Sequence, residues 1–167
     1  MISKIGFAWT AFWNTRAKKT IRFIGTTREI LTQTVEHLWN GNYFATGGTN
    51  YPHFWMRDFG LALPGLLAAE MKDRVYASLA FALAAYERRG HLTTMVNEKG
   101  VAHDFPGYAL DTVGWLLASL RALDAKELVD QHRSLLTQEL ARVRTMLTDD
   151  GYLKDDARSF GIRDHLY

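Results

Sequence analysis

Apolar side chains recur at helical intervals through most of this chain, and polar loops separate the helical segments. The sequence Thr26-Thr-Arg-Glu29 has the spacing of a capping box, and apolar residues then follow at intervals typical of one helix face. The same pattern predicts further helices over 58–70, 74–89, 111–122 and 126–147. We expect Pro64 to kink its helix or to delay the start to Leu63, and Gly90 to end the next helix. No segment has the pattern of a strand, so the sequence predicts an all-α domain.

Three aspartates occur at equal spacing along the chain. Asp58, Asp111 and Asp164 each follow the previous one by 53 residues, and Asp58 and Asp111 each begin a strongly apolar helix. An aromatic residue, Trp55 or Tyr108, comes three positions before each of these two. A period of about 50 residues accommodates two helices with their loops and is typical of a stacked or closed array of hairpins. In a closed array, the acidic helix starts would surround one common pocket.

The helices that begin at the periodic aspartates differ in composition from the others. Leu, Ala and Gly dominate them, whereas charged residues are concentrated in the alternate helices, such as the one over 126–147. This difference indicates an inner ring of helices inside an outer, solvated ring. The long loops over 41–57, 91–110 and 148–163 lead towards the inner helices. Loops of this length within a compact domain are often functional.

Positive charge is concentrated near the start of the chain. The formal net charge is only +2, but residues 1–28 contain no acid and six basic residues: Lys4, Arg16, Lys18, Lys19, Arg22 and Arg28. The same region contains five aromatic residues: Phe7, Trp9, Phe12, Trp13 and Phe23. Such a segment could contact an acidic surface or a membrane, although packing of its aromatic rings onto the domain is the simpler interpretation. We therefore divide the chain into a basic aromatic segment, 1–25, and a helical domain, 26–167.

Several classes of protein are disfavoured by what the sequence lacks. The chain has no cysteine, which excludes disulfides and thiolate chemistry. No segment approaches the ~20 apolar residues of a membrane span, and the short apolar run over 5–13 lacks the cleavage site of a signal peptide. The six histidines show no metal-ligand spacing, and the basic segment contains no nucleic-acid-binding motif. We expect a cytoplasmic protein without a metal, a cofactor or a nucleic-acid partner.

The sharpest local pattern is Trp55-Met-Arg-Asp58, which combines a guanidinium with a carboxylate at a helix start. An arginine and a carboxylate together can bind vicinal hydroxyl groups, and the tryptophan offers an apolar plate for a sugar face. The helix N-terminus favours the charged form of Asp58, so we expect a hydrogen-bond acceptor and not a proton donor. An N-cap with a structural ion pair is the alternative interpretation.

The stretch Tyr51-Pro-His-Phe-Trp-Met-Arg-Asp58, followed by Phe59 and an apolar helix, resembles a segment of glucoamylase-like glycoside hydrolases. Similar segments occur in related α-glucosidases and amylo-1,6-glucosidases. The resemblance covers residues 42–70 and implies an (α/α)6 toroid, in which six helical hairpins surround a funnel-shaped sugar pocket. This chain would form about half of such a toroid. The resemblance also implies that Arg57 and Asp58 bind the terminal glucose beside Trp55.

The next substrate-facing loop of that family corresponds to the region of Tyr108 and Asp111. The family often has an arginine–aspartate pair there, whereas this chain has Leu110 before Asp111. The resemblance implies that Tyr108 and Asp111 contact substrate, and a plain N-cap is the alternative for Asp111.

The family's general acid lies just before the third inner helix, where this chain has Asp155, Asp156 and Asp164. Spacing favours Asp164, while the loop position also admits Asp155 or Asp156. A general acid needs a raised pKa, which burial or neighbouring carboxylates supply. Solvated or purely structural roles remain open for all three.

Inverting glycoside hydrolysis requires a second carboxyl group as base, about 6.5–9.5 Å from the acid. In the resembling family this base lies in the last hairpins, beyond the length of this chain. We therefore expect a glycoside hydrolase-like fragment that binds the terminal sugar of glucans or oligosaccharides, is inactive alone and self-associates through exposed helix flanks. A non-catalytic helical array that binds carbohydrate or protein is the second hypothesis. A sugar phosphorylase or polysaccharide lyase on the same toroid is the third.

Overall fold

The computed structural model describes residues 21–48, 51–104, 108 and 110–154. Within these residues the chain forms six helices: α1 (Thr27–Leu38), α2 (Met56–Ala68), α3 (Lys72–Arg89), α4 (Asp111–Leu123), α5 (Lys126–Gln131) and α6 (Arg133–Met146). Three two-residue strands accompany them: β1 (Phe54–Trp55), β2 (Met95–Val96) and β3 (Ala102–His103). The prediction of a mostly helical chain is confirmed. The prediction that no strand exists is wrong.

The three strands form a small antiparallel sheet in the order β1-β2-β3. Phe54 pairs with Val96 and Val96 with Ala102, while Trp55 pairs with Met95 and Met95 with His103. Residues directly opposite one another point to the same face of a sheet. The first row is buried in the core. In the second row, on the other face, Met95 is also buried, whereas Trp55 and His103 are partly exposed. The sheet therefore joins the loop before α2 to the loop before α4.

Local signals set several helix boundaries as expected. The capping box at the start of α1 is present, because Thr26 N donates to Glu29 Oε2 at 2.7 Å and Glu29 N donates to Thr26 Oγ1 at 3.4 Å. Gly90 ends α3 in the left-handed conformation, with φ of 83°. Such a conformation strains any residue that carries a Cβ atom.

Two other helix predictions need correction. The α2 helix begins at Met56 and runs through Pro64, so the alternative of a start delayed to Leu63 is wrong, while the kink at Pro64 stays a prediction. The helix expected over 126–147 is divided at His132, which takes a non-helical conformation between α5 and α6.

Helices α2 and α4 pack against each other more extensively than any other pair of described elements, and α3 packs against both. Gly60 of α2 lies against the side chain of Trp115 on α4, where a Cβ atom would come within 2.7 Å of Trp115 Cε3. One turn earlier, Arg57 of α2 contacts Asp111 of α4. From Arg57 to Gly60 along α2, the contacted residue on α4 changes from Asp111 to Trp115. Both contacts therefore move towards the C-terminal end of each helix, so α2 and α4 run parallel. None of the described helices is both long enough and apolar enough to cross a bilayer.

The outer elements are less deeply buried. Helix α1 has no buried residue, and α6 buries only Leu135, Leu136 and Glu139. The core instead draws on α2, α3 and α4, together with Tyr43, Phe44 and Phe54 from the loop before α2. The starts of α2 and α4 thus lie side by side at one end of this core.

Candidate functional site

An ion pair joins the starts of α2 and α4. Arg57 Nε donates a hydrogen bond to Asp111 Oδ2, although the two residues are 54 positions apart in the chain. Their side chains are 38% and 29% exposed, so solvent still reaches the pair. The hydrogen bond to Asp111 is the main reason that the pKa of Arg57 is raised, and the charges of Asp111 and Asp58 add to it. The guanidinium is therefore held charged and oriented between two carboxylates.

Asp58 and Trp55 flank this ion pair along the chain. Asp58 is exposed in the first turn of α2, where the helix N-terminus favours a negative charge. Trp55 ends β1 and is the N-cap residue of α2. The sheet therefore fixes the position of its partly buried ring just before the helix begins. The structure thus brings Trp55, Arg57, Asp58 and Asp111 to one region, as the sequence predicted.

Neither periodic aspartate caps its helix with its side chain. The N-cap residues are Trp55 and Leu110, and both lack a side-chain capping bond. Asp58 and Asp111 are therefore not N-caps, whereas the structural ion pair of the alternative interpretation is present, between Arg57 and Asp111. The Oδ1 atom of Asp111 is buried and accepts no hydrogen bond from the described part of the chain. Such an oxygen can accept a hydrogen bond from water or a ligand.

The described contacts of Tyr108 are with α6. Its hydroxyl donates to Glu139 Oε2 at 3.3 Å, and the guanidinium of Arg142 lies 4.1 Å above its ring. Burial is the main cause of a raised pKa of Tyr108, and the charge of Glu139 adds to it. Glu139 is only 1% exposed and lies 3.7 Å from Arg142. These contacts anchor the loop before α4 through Tyr108, and the predicted contact of Tyr108 with substrate stays a prediction.

Three predicted candidates for the general acid lie outside the described residues. Asp155, Asp156 and Asp164 all follow residue 154, where the description ends. Their assignment as acids stays a prediction.

Sequence reasoning missed two histidine–carboxylate pairs. His91 Nε2 lies 2.8 Å from Asp104 Oδ2, and His132 Nδ1 contacts Glu87 Oε2. The neighbouring imidazole, His103, lies with its Nε2 atom 3.3 Å from Asn97 Nδ2. The two residues of each pair are distant in the sequence, so the sequence alone could not predict that they pair.

His53 and His103 are both driven towards the neutral imidazole. Burial is the largest cause of the lowered pKa in each case, and the positive charge of Arg89 adds to it for His103. A neutral imidazole offers one donor and one acceptor, which suits recognition of hydroxyl groups. His103 shares its sheet face with Trp55 through the row described above.

Metal chemistry has no support in the described ranges. Within them, no group of three or more His, Asp or Glu side chains is arranged to hold a metal ion. The arrangement instead offers charged and neutral hydrogen-bonding groups beside an aromatic ring. No protein-family model, curated protein or solved structure matches this chain.

Proposed function

We propose that this chain is a glycoside hydrolase-like helical domain that binds the terminal sugar of glucans or other oligosaccharides. The observation that carries the proposal is the ion pair between Arg57 and Asp111, which joins the starts of two parallel apolar helices. These starts come from successive 53-residue units of the chain. Carboxylates grouped at one end of two parallel helices can accept hydrogen bonds from a ligand with many hydroxyl groups.

In the proposed site, each side chain has a distinct task. Asp111 orients the guanidinium of Arg57, which then donates charge-assisted hydrogen bonds to sugar hydroxyls. The exposed carboxylate of Asp58 accepts hydrogen bonds from neighbouring hydroxyls, and the indole of Trp55 covers an apolar sugar face. A hydroxyl that reaches Asp111 Oδ1 would supply the donor which that buried oxygen lacks among the described residues.

The proposed architecture is about half of an (α/α)6 toroid. Helices α2 and α4 would be neighbouring inner helices, while α3 and α6 would belong to the outer ring. Their parallel contact and the equal spacing of Asp58 and Asp111 support this arrangement. The third inner helix would begin near Asp164, which is our candidate for the general acid, with Asp155 and Asp156 as alternatives.

Isothermal titration with maltooligosaccharides tests the proposal. We expect binding that weakens at least about tenfold in Arg57→Ala, since a charge-assisted hydrogen bond contributes roughly 1.5–3 kcal/mol. The control is Arg121→Ala, which removes the same charge from the last turn of α4, at the other end from Asp111. Absence of binding, or equal weakening in both variants, would contradict the proposal. We expect no release of glucose in the same samples, and release that disappears in Arg57→Ala would show that the expectation of an inactive chain is wrong.

A further inference from the structure

A cavity of about 650 Å³ lies between the C-terminal end of α3 and the hairpin of β2 and β3. Its volume is within the roughly 300–1,000 Å³ typical of small-ligand sites. Ala85, Arg88 and Arg89 line it from α3, and residues 100–104 line it from the hairpin. None of these residues belongs to the proposed terminal-sugar site, so the cavity is considered as a site of its own.

One of the two guanidiniums at this cavity is available to a ligand. Arg88 Nη2 donates to Gly100 O at 2.9 Å, so that guanidinium is held against the hairpin. Arg89 is exposed and makes no hydrogen bond or ion pair with the rest of the described chain. Burial is the main cause of the lowered pKa of His103, and the charge of Arg89 adds to it, so the guanidinium lies near that imidazole. Arg89 can therefore pair with an anionic group in the cavity.

A carboxylate oxygen at the same cavity also lacks a donor. Asp104 Oδ2 lies 2.8 Å from His91 Nε2, whereas Asp104 Oδ1 is buried and accepts no hydrogen bond from the described residues. The hydroxyl of Tyr86 is likewise buried and unpartnered among them. Burial is the main cause of the raised pKa of Tyr86, and the charge of Asp104 adds to it, so the two groups lie near each other. An ammonium group, with three N–H donors, can serve both oxygens.

The amide of Asn97 fixes the tautomer of His103, which lines the cavity beside Asp104. Asn97 Oδ1 accepts hydrogen bonds from the backbone N–H groups of Lys99 at 3.0 Å and Val101 at 2.9 Å. Its Nδ2 group therefore faces His103 Nε2, at 3.3 Å. In the neutral ring Nε2 then accepts, and the proton is on Nδ1. The group left to His103 is thus an N–H donor, which can serve an anionic group but not a cationic one.

This combination of charges favours a small zwitterion. A simple anion would meet the carboxylate of Asp104 and the partial negative charge at the C-terminal end of α3. A simple cation would meet the guanidiniums of Arg88 and Arg89. The hydroxyls of a sugar could hydrogen bond to the same groups, but they would leave both charges without a counter-charge. An ammonium and a carboxylate on one ligand supply both counter-charges, and hydrogen bonds between ionised partners are among the strongest in proteins.

We propose that this cavity binds an amino acid or a similar small zwitterion. Asp104 binds the ammonium group, while Arg89 and the N–H group of His103 bind the carboxylate. The small apolar side chains that line the cavity contact the carbon chain of the ligand. The proposal does not depend on sugar binding at the start of α2, so it goes beyond the function proposed above.

Isothermal titration with a series of amino acids tests the ligand class. Glycine, β-alanine, 4-aminobutyrate and 6-aminohexanoate carry the same two charged groups at increasing separation. We expect at least one of them to bind with a dissociation constant below about 1 mM. The amide and the N-acetyl derivative of the best ligand each lack one charge, and each should bind at least about tenfold more weakly. Absence of binding throughout the series, or undiminished binding of either derivative, would overturn the proposal.

Two substitutions assign the charged groups of the ligand to side chains. Asp104→Asn and Arg89→Ala should each weaken binding of the best ligand at least about tenfold. The matched control is Arg144→Ala, which removes an arginine from the last turn of α6, as Arg89→Ala does from the last turn of α3. The control should leave the affinity unchanged. Full affinity in Arg89→Ala or in Asp104→Asn would show that the zwitterion does not bind in this cavity.

A third substitution blocks the cavity without changing any charge. Val101→Trp fills it from an exposed position and should abolish binding of the amino acid. Circular dichroism of each variant verifies that the fold is intact. Unchanged binding in a folded Val101→Trp variant would place the ligand elsewhere and overturn the proposal.

Competition with maltose separates this site from the proposed terminal-sugar site. We expect maltose not to displace the amino acid, and Arg57→Ala to leave the affinity for the amino acid unchanged. Displacement by maltose would show that the cavity is a saccharide site, which contradicts the proposal. Failure of the chain to bind any sugar would reject the function proposed above and leave the amino-acid site standing.

Discussion

At the scale of single residues, Asp111 orients Arg57. Asp111 accepts a hydrogen bond from Nε of Arg57, and the charge of Asp58 adds to the raised pKa of the guanidinium. The carboxylate of Asp111 therefore positions the guanidinium. Removing the charge of Asp111 should weaken ligand binding more than it lowers the stability of the fold. Partly exposed ion pairs contribute at most about 1 kcal/mol to the free energy of unfolding.

Asp111→Asn tests this separation. The substitution keeps the shape of the side chain and removes the charge that orients Arg57. We expect maltooligosaccharide affinity to fall about three- to tenfold, while the free energy of unfolding in urea changes by less than about 1 kcal/mol. The control is Asp130→Asn, which alters the more exposed pair of Asp130 with Arg133 and should leave affinity unchanged. Unchanged affinity in Asp111→Asn would show that Arg57 does not depend on this partner.

At the scale of elements, the close approach of α2 and α4 depends on Gly60. A Cβ atom at this position would come within 2.7 Å of Trp115 Cε3 and 3.1 Å of Trp115 Cβ, so either the ring or the helix must move. The Arg57–Asp111 pair lies one turn away on the same two helices. The contact between the helices and the ion pair at their starts are thus coupled.

Gly60→Ala should therefore lower stability although alanine favours the helix. Alanine gains up to about 1 kcal/mol in helix propensity, whereas overpacking costs about 1–3 kcal/mol, so a net loss of up to about 2 kcal/mol is expected. The matched control is Gly65→Ala in the same helix, where an added Cβ meets nothing within 4 Å. That control should be neutral or stabilising in urea unfolding. A stabilised Gly60→Ala variant would show that Trp115 yields easily and that α2 and α4 are not tightly coupled.

Helix boundaries could be predicted where they depend on local chemistry. The capping box at Thr26 and the left-handed turn at Gly90 depend on neighbouring backbone atoms, so the sequence contains the whole cause. The strands could not be predicted, because two residues are too few to show an alternating pattern. The break at His132 was missed for a different reason. His132 is buried against Glu87 of another helix, so the cause lies in tertiary packing.

At the scale of the whole molecule, the 53-residue spacing predicted that Asp58 and Asp111 would meet near one another. The structure places Arg57, the neighbour of Asp58, in contact with Asp111, so the starts of α2 and α4 lie together. Repetition of the chain as the cause stays a hypothesis. The anchoring of Tyr108 on Glu139 was beyond such reasoning, since α6 contributes a buried carboxylate from a helix expected to be solvated. Equal spacing in the sequence predicts which helix ends lie close together. It does not predict which side chains pair between helices, because those pairs depend on how the helices pack.

The pH dependence of global stability follows from the two imidazoles on and beside the sheet. His53 and His103 both have a lowered pKa in the folded state, so the folded protein resists protonation more than the unfolded chain does. Below the ordinary value of about 6.5, the unfolded chain binds more protons, and stability is lost as pH falls towards the folded-state pKa.

We therefore expect these two histidines to make the free energy of unfolding in urea rise between about pH 5 and pH 6.5. Their contribution should level off towards pH 8. A double variant, His53→Gln with His103→Asn, keeps hydrogen-bonding groups without titrating and should rise less steeply over the same interval. Carboxylates also titrate at the acidic end, so the difference between the two curves isolates the imidazoles. Curves of equal slope would show that protonation of these histidines does not oppose folding.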